Sequence, residues 1–262
     1  MTAVIELLQF RHSPYNEKVR WVLDLKRVPH CRRSLLPGPH MATVRKLTGH
    51  THTPVLLADG QAVDGSARIL QWLEARWPQP PLFPADAAEL AEAQRIQQWF
   101  DEGLTPRIRR AVLAALLHEP TAFAGVFGDG RPAWQRLAYA CAVPLAGPLI
   151  RKGNGIAGAR SVDDGLRAAE DALNFVAQRA GADGYLVGKA FSLADLTAGA
   201  TLAVLAQPPD SPMAGPQPYG AAFAVLLERF AVHPAIAWTR QLYVRHRGAS
   251  RDFDGPSERP DR

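Results

Sequence analysis

The sequence is poor in sulfur: its 262 residues include two cysteines and three methionines. Cys31 and Cys141 form no C-x-x-C or zinc pattern, which excludes a disulfide framework and makes a reducing compartment the expected setting. Long hydrophobic runs are missing too. The longest uncharged apolar stretch, residues 137–150, is shorter than the roughly 20 residues that a bilayer span demands. It also holds Pro144 and Pro148, so it reads as a buried or interfacial helix. Residues 1–8 lack a basic region followed by a long apolar core; a secretory signal is not expected, the expected location is cytoplasmic, and no membrane partner is expected. Charge of one sign is not concentrated either. The net charge is +5, but the basic residues do not cluster and no aromatic-and-basic groove motif appears, so no nucleic-acid partner is expected.

What is present is an ordinary globular balance, with 47% hydrophobic and 21% charged residues, in a chain long enough for one large or two modest domains. Residues 4–10 are β-branched and aliphatic and predict a strand. After His12-Ser13-Pro14, the spacing of Val19, Val22 and Leu23 predicts a helix whose first turn suits Pro14. Residues 37–53 are ambiguous, with one irregular helix around 41–47. Pro54-Val55-Leu56-Leu57 predicts a strand, Asp59-Gly60 a tight turn, and Gln61-Ala62-Val63 its hairpin partner. A helix follows from Ser66, with Ile69, Leu70, Leu73 and Trp77 on its apolar side. The order predicts a mixed sheet between helices. Four prolines in residues 77–84 then mark a boundary, and no convincing strand follows. Residues 85–117 predict a helix interrupted near Gly103 and Pro106; Ser161 predicts a cap for a helix over 162–180; further helices are expected over 192–206, 221–230 and 234–244.

Three constellations carry chemistry, each with a plain structural reading beside it. Ser13-Pro14-Tyr15-Asn16 stands where strand meets helix, and the free N–H groups and dipole of a helix N-terminus favour a negative charge such as a thiolate. Read alone, Ser13 simply caps the helix. Thr53-Pro54 precedes a core strand; a cis bond there would offer the Thr53 backbone to a peptide ligand, whereas the plain reading is an edge-strand proline. Asp64-Gly65-Ser66 opens a helix and could hold the carboxylate and ammonium of an amino-acid ligand, or again be only a cap. His50-Thr51-His52 reads as a solvated loop rather than a metal pair, and no metal is expected. His40, Arg45 and Lys46 read as a solvated helix face. Arg107, Arg109 and Arg110 form a basic turn, either exposed or attractive to anions.

Taken together, the three turns resemble the thioredoxin-like N-terminal domain of the soluble glutathione transferases. Residues 13–20 look like the serine-type active-site turn of the zeta class, Thr53-Pro54-Val55-Leu56 like the cis-proline strand, and residues 66–73 like the following helix start. Residues 185–196, with Ser192 and Asp195, are similar to the family's capping-box helix in the second domain. The resemblance implies a thioredoxin-like α/β N-terminal domain plus an all-α C-terminal domain. It divides the chain into a glutathione-binding domain over 1–77, a linker over 78–88, an all-helical domain over 89–246 and a disordered tail over 247–262. In two places the chain departs from the family. Gly65 stands where an acid usually precedes the helix serine, with Asp64 one residue earlier, and segment 119–160 is longer than the usual connection, which implies a reshaped or covered electrophile pocket.

What the resemblance implies about function is a glutathione transferase with glutathione as co-substrate and a small hydrophobic electrophile as second substrate. Ser13 would donate to the sulfur, Tyr15 and Asn16 would stand in reserve, and Thr53, Pro54, Asp64, Gly65 and Ser66 would hold the tripeptide. Serine, unlike the cysteine of the omega, beta and glutaredoxin-type proteins, cannot form a mixed disulfide. Conjugation, isomerisation, dehalogenation or peroxide reduction therefore ranks above thiol-disulfide exchange. The alternative implied by the same fold is a non-catalytic protein-interaction module. Because the family dimerises, the chain is expected to be a homodimer. Light scattering at micromolar concentration should return twice 28.5 kDa; the monomer mass would contradict it.

Overall fold

The structure is a computed structural model and describes residues 5–250. The start of the first expected strand at residue 4 and the part of the expected tail from 251 to 262 lie outside the described residues. The first layer is a four-stranded mixed sheet built from β1 (Ile5–Gln9), β2 (His30–Ser34), β3 (Val55–Ala58) and β4 (Gln61–Asp64), in the order β2-β1-β3-β4. β1 runs parallel to β2 and antiparallel to β3, and the β3–β4 hairpin closes on Asp59 and Gly60, both at positive φ (51° and 75°), as a two-residue hairpin turn requires. The helices of this layer are α1 (Pro14–Leu25), α2 (His40–Thr48) and α3 (Ser66–Arg76). β2 had no apolar signature because its sequence is His-Cys-Arg-Arg-Ser; His30 and Arg32 are its buried positions, and the Arg32 guanidinium donates to both oxygens of Asp24 at 2.7 Å.

Beyond the proline-rich connection the chain is helical: α4 (Ala87–Gln98), α5 (Thr105–Leu116), α6 (Pro120–Phe127), α7 (Ala133–Gly153), α8 (Ala159–Arg179), α9 (Leu193–Ala206), α10 (Ala221–Phe230) and α11 (Pro234–His246). The interruption expected near Gly103 and Pro106 is a π-helical turn, Trp99–Leu104, inserted between α4 and α5. Ser161 is not a cap. α8 begins earlier, at Ala159, and the Ser161 hydroxyl lies inside its first turn, donating to the Gly158 carbonyl at 2.7 Å. Residues 137–150 fall within α7, which continues through Pro144 and Pro148 and leaves Leu137, Leu145 and Leu149 exposed.

Two elements tie the layers together. Every residue of α9 is buried, and its start is fixed by the Ser192/Asp195 capping box, in which Asp195 also accepts from the Leu186 N–H at 2.8 Å. Burial pushes the Asp195 carboxyl up to about 6 although these donors favour its charged form. α1, the other tie, packs on α3 on one side and α9 on the other. It buries Val19, Trp21, Val22 and Leu23, and with them Glu17, Lys18 and Arg20. Each charge has a partner: Glu17 takes Arg20 at 2.7 Å and Arg247 at 2.6 Å, and Lys18 takes Asp101 at 2.5 Å. Arg247 had been assigned to a disordered polar tail. It is instead 4% exposed and also reaches Asp24 at 2.9 Å, so α1 holds the end of the second layer by ion pairs that no local pattern announces.

Burial alone would raise the Glu17 carboxyl, but the Arg247 and Arg20 guanidinium groups outweigh it and hold it below its ordinary 4.5. The stability that this carboxylate contributes is therefore present above pH 4.5 and lost as pH falls through its lowered folded value. Arg247→Ala should cost about 3 kcal/mol in urea unfolding at pH 7, because it strips half the charge compensation from a buried carboxylate. The deficit should shrink as the buffer is made acidic.

Candidate functional site

A cavity of about 420 Å³ opens between the two layers, within the usual range for small-molecule sites. Its first wall comes from the turn before α1, where Phe10, Ser13 and Tyr15 line it, and from His52 and Thr53 ahead of β3. Its second wall is a stripe along α5. Thr105, Ile108, Arg109, Val112 and Leu116 recur at helical spacing and all face it. Phe123 and Phe127 of α6 and Leu149 and Ile150 of α7 complete an apolar side.

The three turns singled out in the sequence are hydrogen-bonded to one another. The Asn16 Nδ2 donates to Thr53 Oγ1 at 3.2 Å, and the Gly65 N–H donates to the Pro54 carbonyl at 3.1 Å, the strand register setting Val55 opposite Asp64. The Thr53–Pro54 bond is cis, as expected. Ser13 is the N-cap position of α1 but makes no side-chain cap hydrogen bond, so its half-buried hydroxyl is not spent on the helix. Of the expected site residues, Ser13, Tyr15 and Thr53 line the cavity, whereas Asn16, Pro54, Asp64, Gly65 and Ser66 are not part of its lining. Ser66, the first residue of α3, is buried at a helix N-terminus, and Gly65 precedes it at φ 80°, a backbone that an L side chain rarely adopts.

Two expected donors are otherwise engaged. The Tyr15 hydroxyl donates to the Asp101 carbonyl at 2.6 Å, and burial, with Asp101 nearby, drives its pKa far above the ordinary value. Asn16 is committed to Thr53. A carboxylate does lie beside the histidine pair, since His50 Nε2 meets Asp64; Asp64 also pairs with Arg68, so two side chains already engage it. His40 faces the cavity with its ring tied to backbone: Nδ1 accepts from Gly38 N–H at 3.1 Å, which leaves Nε2–H to donate to the Thr51 carbonyl at 3.0 Å. Burial lowers the His40 pKa and keeps the ring neutral at pH 7, while Arg45 and Lys46 are exposed on α2.

The pattern of the family described as "Glutathione S-transferase, N-terminal domain" matches residues 7–81. The chain's first layer is thus similar to the N-terminal domain of the glutathione S-transferases. The chain is 28% identical over 123 residues to a probable maleylacetoacetate isomerase of Caenorhabditis elegans, an alignment covering 46% of this chain and 58% of that protein. The chain spans about half the length of the curated relatives it matches. The whole fold is shared with a glutathione S-transferase from Rhodospirillum rubrum at 19% identity and TM-score 0.61, covering 92% of this chain and 88% of that one. It is also shared with one from Methylobacterium radiotolerans, solved with glutathione sulfonate, at 23% identity and TM-score 0.55, covering 98% of both chains.

Sequence reasoning placed Arg109 in a basic turn, either exposed or attractive to anions, but passed over the rest of the α5 stripe. Its signal was available in the spacing 105, 108, 109, 112 and 116, but a single polar pair, Thr105 and Arg109, among apolar neighbours reads as a core helix until the facing wall is known. The Asp101 contact makes a clear division of labour within the α1 turn. Tyr15→Phe should cost about 1 kcal/mol in thermal unfolding for the lost hydrogen bond.

Proposed function

We propose that the chain is a glutathione-dependent transferase, with glutathione as co-substrate and no resident metal, that activates the glutathione thiol for attack on a small hydrophobic electrophile. The observation that carries this reading is the Ser13 hydroxyl, placed at the N-terminus of α1, facing the cavity and free of any cap hydrogen bond. In this reading the Thr53 backbone beside Pro54 pairs with the tripeptide, and Ser66 with the first turn of α3 takes the γ-glutamyl carboxylate. Gly65 leaves that turn open, and Asp64 takes the ammonium in competition with Arg68. Ser13 O–H donates to the sulfur, and the helix dipole adds to the preference for the anion. The sulfur then forms its bond to the electrophilic carbon while that carbon's bond to its leaving group breaks, the leaving group departing with the bonding electron pair, and the thiol proton goes to solvent. An ordinary thiol has a pKa near 8.5, so lowering it by about two units makes the thiolate dominant at neutral pH. We further propose that the protein acts as a cytoplasmic homodimer, with segments 1–77 and 89–246 as its two domains and 78–88 between them.

A second reading, a non-catalytic interaction module, is favoured by the double pairing of Asp64, which weakens the grip on an ammonium. Retention on immobilised glutathione and turnover of a chloronitrobenzene separate the two, the module showing neither. The sharper test is Ser13→Ala. It should raise the pKa of the bound thiol by about one to two units, as a hydrogen bond to a charged group contributes roughly 1.5–3 kcal/mol. Affinity should change little, and the rate deficit should shrink as pH rises. An unmoved thiolate titration would remove Ser13 from the mechanism.

A further inference from the structure

The three arginines of α5 do not behave alike. Residues three apart on a helix share a face, and Arg107 and Arg110 both turn to Asp164 on α8, Arg107 at 2.7 Å and Arg110 at 3.3 Å. Arg109 falls on the other face, where α5 lines the cavity. Among the described residues it has neither an ion pair nor a hydrogen-bond partner. The nearby acids are spent elsewhere: Asp101 is held by Lys18, Asp164 by Arg107 and Arg110, and Glu102 is exposed and accepts from Gln98. The groups close enough to influence Arg109 are Tyr15, Arg110 and His52, none of them an anion at neutral pH.

We propose that Arg109 anchors an anion subsite, so that the second substrate is a small electrophile with an apolar body and a carboxylate. The proposal rests on the reading of this cavity as a transferase site and adds the chemical class of the electrophile. The guanidinium surface is open to the cavity, yet enough protein surrounds it that desolvation lowers its pKa; it stays cationic at neutral pH all the same. An unpaired cation in that setting gains strongly from a planar, bidentate acceptor. The walls next to it, Ile108, Val112, Phe123 and Phe127, offer contact to a hydrophobic body, and Ser13 lines the same cavity from the α1 side. One end of the ligand would thus be held by charge while its electrophilic carbon is presented to the sulfur.

The test compares chloronitrobenzoate with chloronitrobenzamide, which share ring and leaving group. In each the glutathione sulfur bonds to the ring carbon, the carbon–chlorine bond breaks, chloride leaves and the thiol proton goes to solvent. Arg109→Leu should lower the benzoate-to-amide ratio of kcat/KM at least about tenfold relative to the parent, mostly through KM for the benzoate, because a charge-assisted hydrogen bond is lost. Arg109→Lys should recover part of the ratio, and Arg107→Leu, on the opposite face, should leave it in place. An unchanged ratio in Arg109→Leu, or an equal fall in Arg107→Leu, overturns the subsite. Tryptophan fluorescence titration with unreactive nitrobenzoate and nitrobenzamide makes the same comparison without chemistry. Absent turnover with a preserved, Arg109-dependent preference for nitrobenzoate would refute the transferase reading and keep the subsite. No preference in binding would refute the subsite whatever the rates.

Discussion

The rest of this structure depends on matching the charges buried on α1. That helix packs against α3 and α9, and Glu17, Lys18 and Arg20 go into the interior with Val19 and Val22. An ion buried without a partner costs several kcal/mol, so each must be met at hydrogen-bond distance. Two of the partners, Asp101 and Arg247, come from the far layer. The first lies in the π-helical turn between α4 and α5, and the second lies just past α11. Satisfying α1 therefore fixes where α5 runs relative to the turn that carries Ser13.

The same constraint explains why a serine rather than the neighbouring tyrosine meets the cavity with a free hydroxyl. Lys18 brings Asp101 against the α1 turn, and the backbone carbonyl of Asp101 then captures the Tyr15 hydroxyl. The long segment after α5 works from the other side. Arg131 donates to the Ser34 carbonyl at 2.7 Å, Tyr139 to the Pro37 carbonyl at 2.9 Å, and Asp129 meets Arg11 and His12, so α6 and α7 are seated on the first layer and cover the cavity with aromatic and aliphatic side chains. Those apolar walls lower the local dielectric, which strengthens each polar contact made in the cavity.

How much of this the sequence disclosed follows the range of the interactions. β1, α1, the β3–β4 hairpin and α9 were legible because their signals are local: apolar spacing, an Asp-Gly turn, a Ser-x-x-Asp box. The three site turns were legible as turns, and their assembly was legible through the family resemblance. β2 was not, since its buried positions are His30 and Arg32, and only an ion pair to Asp24 on another element makes them interior residues. Arg247 was misread for the same reason. A polar residue near a chain end looks solvated until Glu17 and Asp24 are placed opposite it. The engagement of Tyr15, Asn16 and Asp64 was likewise invisible, because each depends on a partner fixed by tertiary packing.

That dependence is also what distinguishes Arg109. Along α1 the fold draws an acid from the π-helical turn and arginines from β2 and from just past α11, so that its buried charges are met. On α5 it pairs Arg107 and Arg110 with a single aspartate that sits near the surface, where the gain is small. It leaves unpaired the one arginine of the three that lies against the cavity. An unmatched cation in a mostly apolar wall, its guanidinium open to the cavity, keeps its charge and its fork of donors available to an arriving anion, which is the arrangement of a binding residue rather than a structural one.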